Sequence, residues 1–249
     1  PQAILFHKES GIKDFKDLDG KTIMATPGTA FIRIMENTYD IKINVTPLDF
    51  GVNRFLADKN FIQQCFITNE PYYVAKEGAN PGTLLLSNSG FSPYRVWFTS
   101  RGFANANPEV VEAFNEASIR GWNDYLTGDR TEANAIIEAT NPQQDEEFMA
   151  YVVNSMIENK LVTGHPEKGE ATGRITKERI QKQIDQLASI DMLESEVKIE
   201  QVLPARILET SAVLPTKTPG LHVKLDTPNG FEAMTVSAER LAEIAVNAR

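Results

Sequence analysis

A chain of 249 residues that is 41% hydrophobic and 24% charged has globular composition, with room for one large domain or two lobes. Its formal charge of −9 and pI near 5.0 leave no basic surface of the kind that binds nucleic acid or anionic lipid. Its apolar runs fall far short of the roughly 20 residues that cross a bilayer, and its single cysteine, Cys65, excludes an internal disulfide or a multi-cysteine metal site.

Residues 2–7 read as a strand, and 10–20 as a polar connection ending in the turn Asp17-Leu18-Asp19-Gly20. An alternation follows. Strands are predicted at 21–26, 42–48, 61–68 and 83–87, with helices at 30–39, near 52–57 and from Pro71 between them. Strands separated by short helices are the pattern of a mainly parallel sheet covered on both faces, so the fold class is α/β. Residues 12–88 are expected to form one complete lobe. Cys65, flanked by Gln64 and Phe66, reads as a packed small residue rather than a catalytic thiol.

The Gly-, Ser- and Pro-rich stretch 87–95 reads as a hinge, followed by a short strand at 96–99. From Asn107 the character becomes helical, with Asn107 as cap and Pro108 at the first helical position. Val111, Phe114, Ser118, Trp122 and Tyr125 fall on one stripe, which predicts a core-facing helix. Asn141 and Pro142 repeat the start signal, with Asp145, Glu146 and Glu147 in the first turn and Phe148, Tyr151, Val152 and Met156 on the buried face. A further helix is capped by Thr176, with Ile180, Ile184 and Leu187 inward. Residues 1–11 and 89–193 are assigned to a partial second lobe. In the tail, 194–249, residues 221–236 suggest a hairpin around Pro228-Asn229-Gly230, with a short helix from Ser237.

No phosphate-binding glycine loop, zinc-protease helix or nucleophile elbow occurs, and the three histidines, His7, His165 and His222, stand far apart. No cofactor, metal or catalytic residue is assigned. What recurs is polar and aromatic residues at strand ends: Gly28 and Thr29, Asn69 and Glu70, and Phe91 and Tyr94 near the hinge. In an open α/β sheet such ends converge on one crevice. The helix that opens after Thr29 offers unpaired N–H groups to an anionic or carbonyl group. A carboxylate such as Glu70 suits an amino or amidine group, and rings such as Phe91 and Tyr94 suit a flat or cationic ligand. Asn69-Glu70-Pro71 is equally well read as a plain helix start with Asn as cap.

The runs HKESGIKDFKDLDGKTI, TPGTAFIR, FIQQCFITNEPYYVAKEG and NPEVVEAFNEASIRGWNDYL, in that order, resemble the periplasmic solute-binding proteins of ABC importers. The group concerned includes nitrate, sulfonate and thiamine-pyrimidine-precursor binders, and the resemblance covers residues 1 to about 193. It implies a two-lobed Venus-flytrap protein of the type II class, working in the periplasm or outside the cytoplasm. Such a protein closes on a small nitrogenous solute and delivers it to a membrane permease. By position, Gly28, Thr29, Asn69, Glu70, Phe91 and Tyr94 would contact the ligand. Two other classes share the plan. Pyrimidine-precursor synthases carry a cysteine-rich segment and an active-site histidine, and a chain with one cysteine cannot supply that segment. Effector-sensing domains of transcription regulators carry an N-terminal helix-turn-helix.

Family members begin with strands and helices that precede the SGI segment, so this chain, opening at Pro1 without a signal peptide, is expected to lack them. Phe114, Trp122, Phe148, Tyr151 and Met156 would then lose part of their cover, and the chain would tend to self-associate.

Overall fold

The computed structural model describes residues 1–49 and 51–203 and two short strands, Val223–Leu225 and Glu232–Met234. Five short runs with strand composition form one sheet: β1 (Gln2–His7), β2 (Thr22–Ala25), β3 (Asn44–Pro47), β4 (Gln63–Phe66) and β5 (Pro81–Leu85). Their order is β3-β2-β4-β1-β5. β2 runs parallel to β3 and β4, whereas β1 is antiparallel to both β4 and β5, so four strands share one direction and β1 alone opposes them.

The position of β1 departs from the sequence expectation. The sequence places residues 1–11 with a second lobe, yet β1 lies between two strands of the lobe expected at 12–88. The reason is visible in its composition. Ala3-Ile4-Leu5-Phe6 is apolar on both faces, and a strand with no polar face is stable only where both faces are covered. Successive side chains alternate accordingly. Ile4 and Phe6 join a cluster with Ile23, Leu86, Phe31, Ile34 and Met35, while Ala3 and Leu5 join Cys65, Phe55 and Val74 on the other face.

Helix α1 (Ala30–Tyr39) spans the predicted residues and ends on Asp40, whose left-handed backbone (φ 53°) stops it. Phe55 comes from α2 (Asn53–Ala57) and Val74 from α3 (Glu70–Lys76). The polar connection before β2 contains a single helical turn, Phe15–Leu18, capped reciprocally by Asp14 and Asp17, which drops Phe15 and Leu18 into the core.

Gly82 on β5 pairs with Phe6, whose ring lies across it. A Cβ there would sit 2.4 Å from Cε2 of Phe6, well inside contact distance, and the ring is held in the core at 4% exposure. Gly82→Val is therefore expected to destabilise the protein by about 1–3 kcal/mol through overpacking. Urea unfolding checks this, and an unchanged midpoint would show that Phe6 has room to move aside.

Beyond β5 the chain makes a helical turn at Leu86–Ser89, reverses at Gly90 (φ 92°) and runs without regular structure to Ser100. The strand expected at 96–99 does not form: Trp97 and Phe98 are 72% and 95% exposed, so this β-rich composition finds no strand to pair with. Helices α4 (Arg101–Ala106), α5 (Pro108–Thr127), α6 (Thr131–Thr140), α7 (Glu146–Glu158), α8 (Lys177–Ala188) and α9 (Ile199–Val202) follow. Two Asn-Pro signals have opposite outcomes. Asn107-Pro108 opens α5 as expected, but Asn141 closes α6, and the cap of α7 stands four residues later, where Asp145 accepts from the Phe148 N–H at 2.8 Å. Thr176 caps α8 as predicted, accepting from the Arg179 N–H.

The stripe on α5 is not a core face. Phe114 and Trp122 are exposed, and Leu126 is the buried residue of this helix. Of the set expected to be uncovered, Phe114 and Trp122 are exposed, but Phe148 is buried. It stacks on Tyr73 at 5.3 Å and meets Tyr72 edge-on at 5.2 Å, while the Tyr151 hydroxyl donates to the Ile67 carbonyl at 2.8 Å. These contacts seat α7 on α3 and on the segment after β4. In the tail, β6 (Val223–Leu225) and β7 (Glu232–Met234) pair antiparallel, as the expected hairpin requires. The turn at Pro228-Asn229-Gly230 and the helix from Ser237 lie outside the described residues.

Candidate functional site

Because β2 and β4 are parallel neighbours, the segments that leave them emerge side by side at one end of the sheet. After β2 the chain turns through Thr26 to Gly28, where φ is 75°, a left-handed value that glycine takes without a Cβ penalty. Thr29 is the extended N-cap of α1 (φ −68°, ψ 135°), yet its hydroxyl caps nothing. Thr29 Oγ1 is buried and without a hydrogen-bond partner among the described residues. A buried polar atom left unpaired costs free energy, and the free N–H groups of α1 open beside it.

After β4, Asn69 stands at the N-cap of α3 with an unusual backbone (φ −136°, ψ −85°) and no side-chain cap bond. The reading of Asn69 as a plain cap therefore fails in its central feature. The Glu70 carboxylate folds back on the strand end, where Oε2 accepts from the Phe66 N–H at 2.8 Å. One oxygen is thus held and the group is oriented. Gly28, Thr29, Asn69 and Glu70 accordingly belong to adjacent strand ends, and together they supply helix N–H donors, a hydroxyl, an amide and a carboxylate.

Phe91 and Tyr94 do not add an aromatic sandwich to this corner. Phe91 is 8% exposed and packs in the cluster of Leu86 and Ile190. Tyr94 packs with Ile180, Ile199 and Leu203, its ring is covered by the Arg179 guanidinium at 3.8 Å, and its hydroxyl accepts from the Thr176 N–H at 3.0 Å. The composition of residues 87–95 could not show that α8 and its cap would claim the Tyr94 ring, or that Ile190, just past that helix, would share a core with Phe91. Gln64 is a further polar residue here, and its place within a strand gives no sign of a role at the site. It is 6% exposed on β4, and its Oε1 accepts from the Thr26 N–H at 3.1 Å.

Cys65 lies beneath the corner at 2% exposure. Burial pushes its thiol well above the ordinary value, with the nearby Glu70 carboxylate adding to the effect. An acid whose folded pKa is raised holds its proton in the native state while the unfolded chain releases it. Stability from this group is therefore intact below the unfolded value, about 8.5, and falls as pH rises above it by up to about 1.4 kcal/mol per unit. Tyr151, raised chiefly by burial, extends the loss to higher pH. Urea midpoints at pH 7 and pH 9.5 are expected to differ, and Cys65→Ala to remove the earlier part of the fall. Parallel curves for the two proteins would contradict a buried neutral thiol.

Among the described residues, no helix is long and apolar enough to cross a membrane, and no group of three or more His, Cys, Asp or Glu is arranged to hold a metal ion. A family model described as NMT1/THI5 like matches residues 1–131. A search of curated proteins finds no match.

Proposed function

Since the chain belongs to the NMT1/THI5-like family, we propose that it captures a small nitrogenous solute outside the cytoplasm and delivers it to the permease of an ABC importer. The family supports a binding role. The observation that carries the reading is the pairing of Gly28 and Thr29 with Asn69 and Glu70 on neighbouring parallel strand ends, one carrying an unpaired buried hydroxyl and the other an oriented carboxylate. A solute with an acceptor for the α1 N–H groups and an amino or amidine group for Glu70 suits both sides, which favours an aminopyrimidine of the thiamine-precursor type over nitrate.

On this reading the sheet, with α1 to α3, is one lobe of a type II Venus-flytrap protein, 87–95 is the hinge, and the helices after Ser100 belong to the second lobe. A synthase of the same fold is the less favoured reading, because the sole cysteine, Cys65, is buried with its thiol held neutral. A thermal-shift screen of hydroxymethylpyrimidine, taurine, nitrate and spermidine tests the proposal. A rise in melting temperature with hydroxymethylpyrimidine is expected. No shift with any of them would count against solute binding, and a shift with nitrate alone would remove Glu70 from the account.

A further inference from the structure

We infer that Gln64 is the positioning residue of this corner, standing in for a main-chain bond that the sheet lacks and so fixing where the turn from Thr26 to Thr29 sits. The inference rests on the solute-binding reading for its functional consequence, but not for its geometry. The β2–β4 ladder is short: its register consists of Met24 opposite Gln63, and the Met24 N–H donates to the Ile62 carbonyl at 2.9 Å. In a parallel ladder the next donor along β2 is the Thr26 N–H, and its regular acceptor would be the main-chain carbonyl of residue 64. The Thr26 N–H instead donates to the side-chain Oε1 of Gln64 at 3.1 Å. The strands have begun to part, and the carboxamide spans the difference. This is the place at which a crevice between the two strand ends must open.

The amide's orientation follows from its partner. An N–H can only donate, so the atom of Gln64 that faces Thr26 is oxygen and Nε2 points the other way. Among the described residues Nε2 donates no hydrogen bond, while Ile4, Phe6 and Ile62 line the same face of the sheet. A buried glutamine in an apolar layer is costly unless its bonds are made, so an apolar residue would serve packing better here. What glutamine adds is reach: two methylenes and an acceptor that hold the turn at a fixed distance from β4, the strand that also carries Asn69 and Glu70 at its end.

The test compares Gln64→Met, which keeps the length and removes the acceptor, with Gln64→Glu, which keeps an acceptor oxygen. Two readouts are taken: amide hydrogen exchange at Thr26, and calorimetric affinity for hydroxymethylpyrimidine. Gln64→Met is expected to exchange at Thr26 roughly fivefold to tenfold faster than wild type and to bind at least about tenfold more weakly. Gln64→Glu, whose buried carboxyl keeps an acceptor oxygen and is held protonated by burial, is read for exchange at Thr26 alone and is expected to stay within about twofold of wild type there. Should Gln64→Met fail to fold, Gln64→Asn, one methylene too short to reach, takes its place. Unchanged exchange at Thr26 in the acceptor-free variant would overturn the inference, as would faster exchange with unaltered affinity. If wild type binds none of the screened solutes, it is the solute-binding reading that fails, and the exchange arm alone decides whether Gln64 holds the turn.

Discussion

Replacing Arg179 by methionine is expected to cost about 3 kcal/mol of stability, because one side chain holds three segments together and leaves charged and polar partners behind when it goes. Its Nε donates to the Ser92 carbonyl at 2.7 Å, Nη2 to the Ser92 hydroxyl at 2.8 Å, and Nη1 to Glu170 at 3.1 Å, while its plane covers the Tyr94 ring. The ion pair is largely sheltered, with side chains 24% and 18% exposed, so solvent screens it only in part. Removal strands the Glu170 carboxylate, whose other oxygen accepts from the His165 N–H. Gln183 and Gln186, further along α8, donate to the Ser92 and Gly90 carbonyls and keep part of the clamp, which sets a ceiling on the loss. For a domain of this size the fall in melting temperature is on the order of 6–12 °C. Arg179→Lys is not expected to restore it, since an ammonium cannot serve three directions in one plane. Circular dichroism melts decide the matter: an unshifted transition would show that α8 does not hold the segment after Gly90.

Glu70→Gln is expected to weaken the binding of an amine or amidine solute by about 2–5 kcal/mol while leaving the melting temperature of the free protein nearly unchanged. The two halves of that statement have separate causes. The glutamine carbonyl can still accept from the Phe66 N–H, the bond that Oε2 of Glu70 makes now, so the strand end keeps its local structure. The charge that would face the solute is gone, and a desolvated cation left opposite a neutral amide loses most of what the carboxylate supplied. Calorimetry with hydroxymethylpyrimidine on both proteins measures this directly. Equal affinities would take Glu70 out of the site.

Much of the sheet and of the helices between its strands was legible because their signals are local. Apolar periodicity and a Pro-Gly turn suffice to place α1 at Ala30–Tyr39, and short apolar runs between turn residues suffice for the strands. Strand partnership is not local: nothing within residues 2–7 says which edges β1 will join, although the lack of a polar face points to a central strand. The helical part misled for a similar reason. A stripe of Val111, Phe114, Ser118, Trp122 and Tyr125 shows which face of α5 is apolar, but whether anything covers that face depends on the rest of the molecule. Asn-Pro was ambiguous in itself, since a proline favours the start of a helix and also follows its end.

At the candidate site, turn and cap residues at strand ends are a readable sign, and the fold sets Gly28, Thr29, Asn69 and Glu70 on the adjacent ends of β2 and β4. Phe91 and Tyr94 carry the same sign, yet an aromatic residue in a Gly-Ser-Pro stretch looks identical whether it awaits a ligand or, as Tyr94 does, the cap of a distant helix. Gln64 was overlooked because a glutamine inside a strand gives no hint that its side chain, and not its backbone, will complete the ladder.

Capture of solute between the β2 and β4 strand ends is read out by hydrogen–deuterium exchange of the wild-type protein with and without saturating hydroxymethylpyrimidine. Protection concentrated in residues 26–31 and 66–72, with little change along β3 and α6, is the predicted result. Binding accompanied by protection elsewhere and none at these two segments would contradict it.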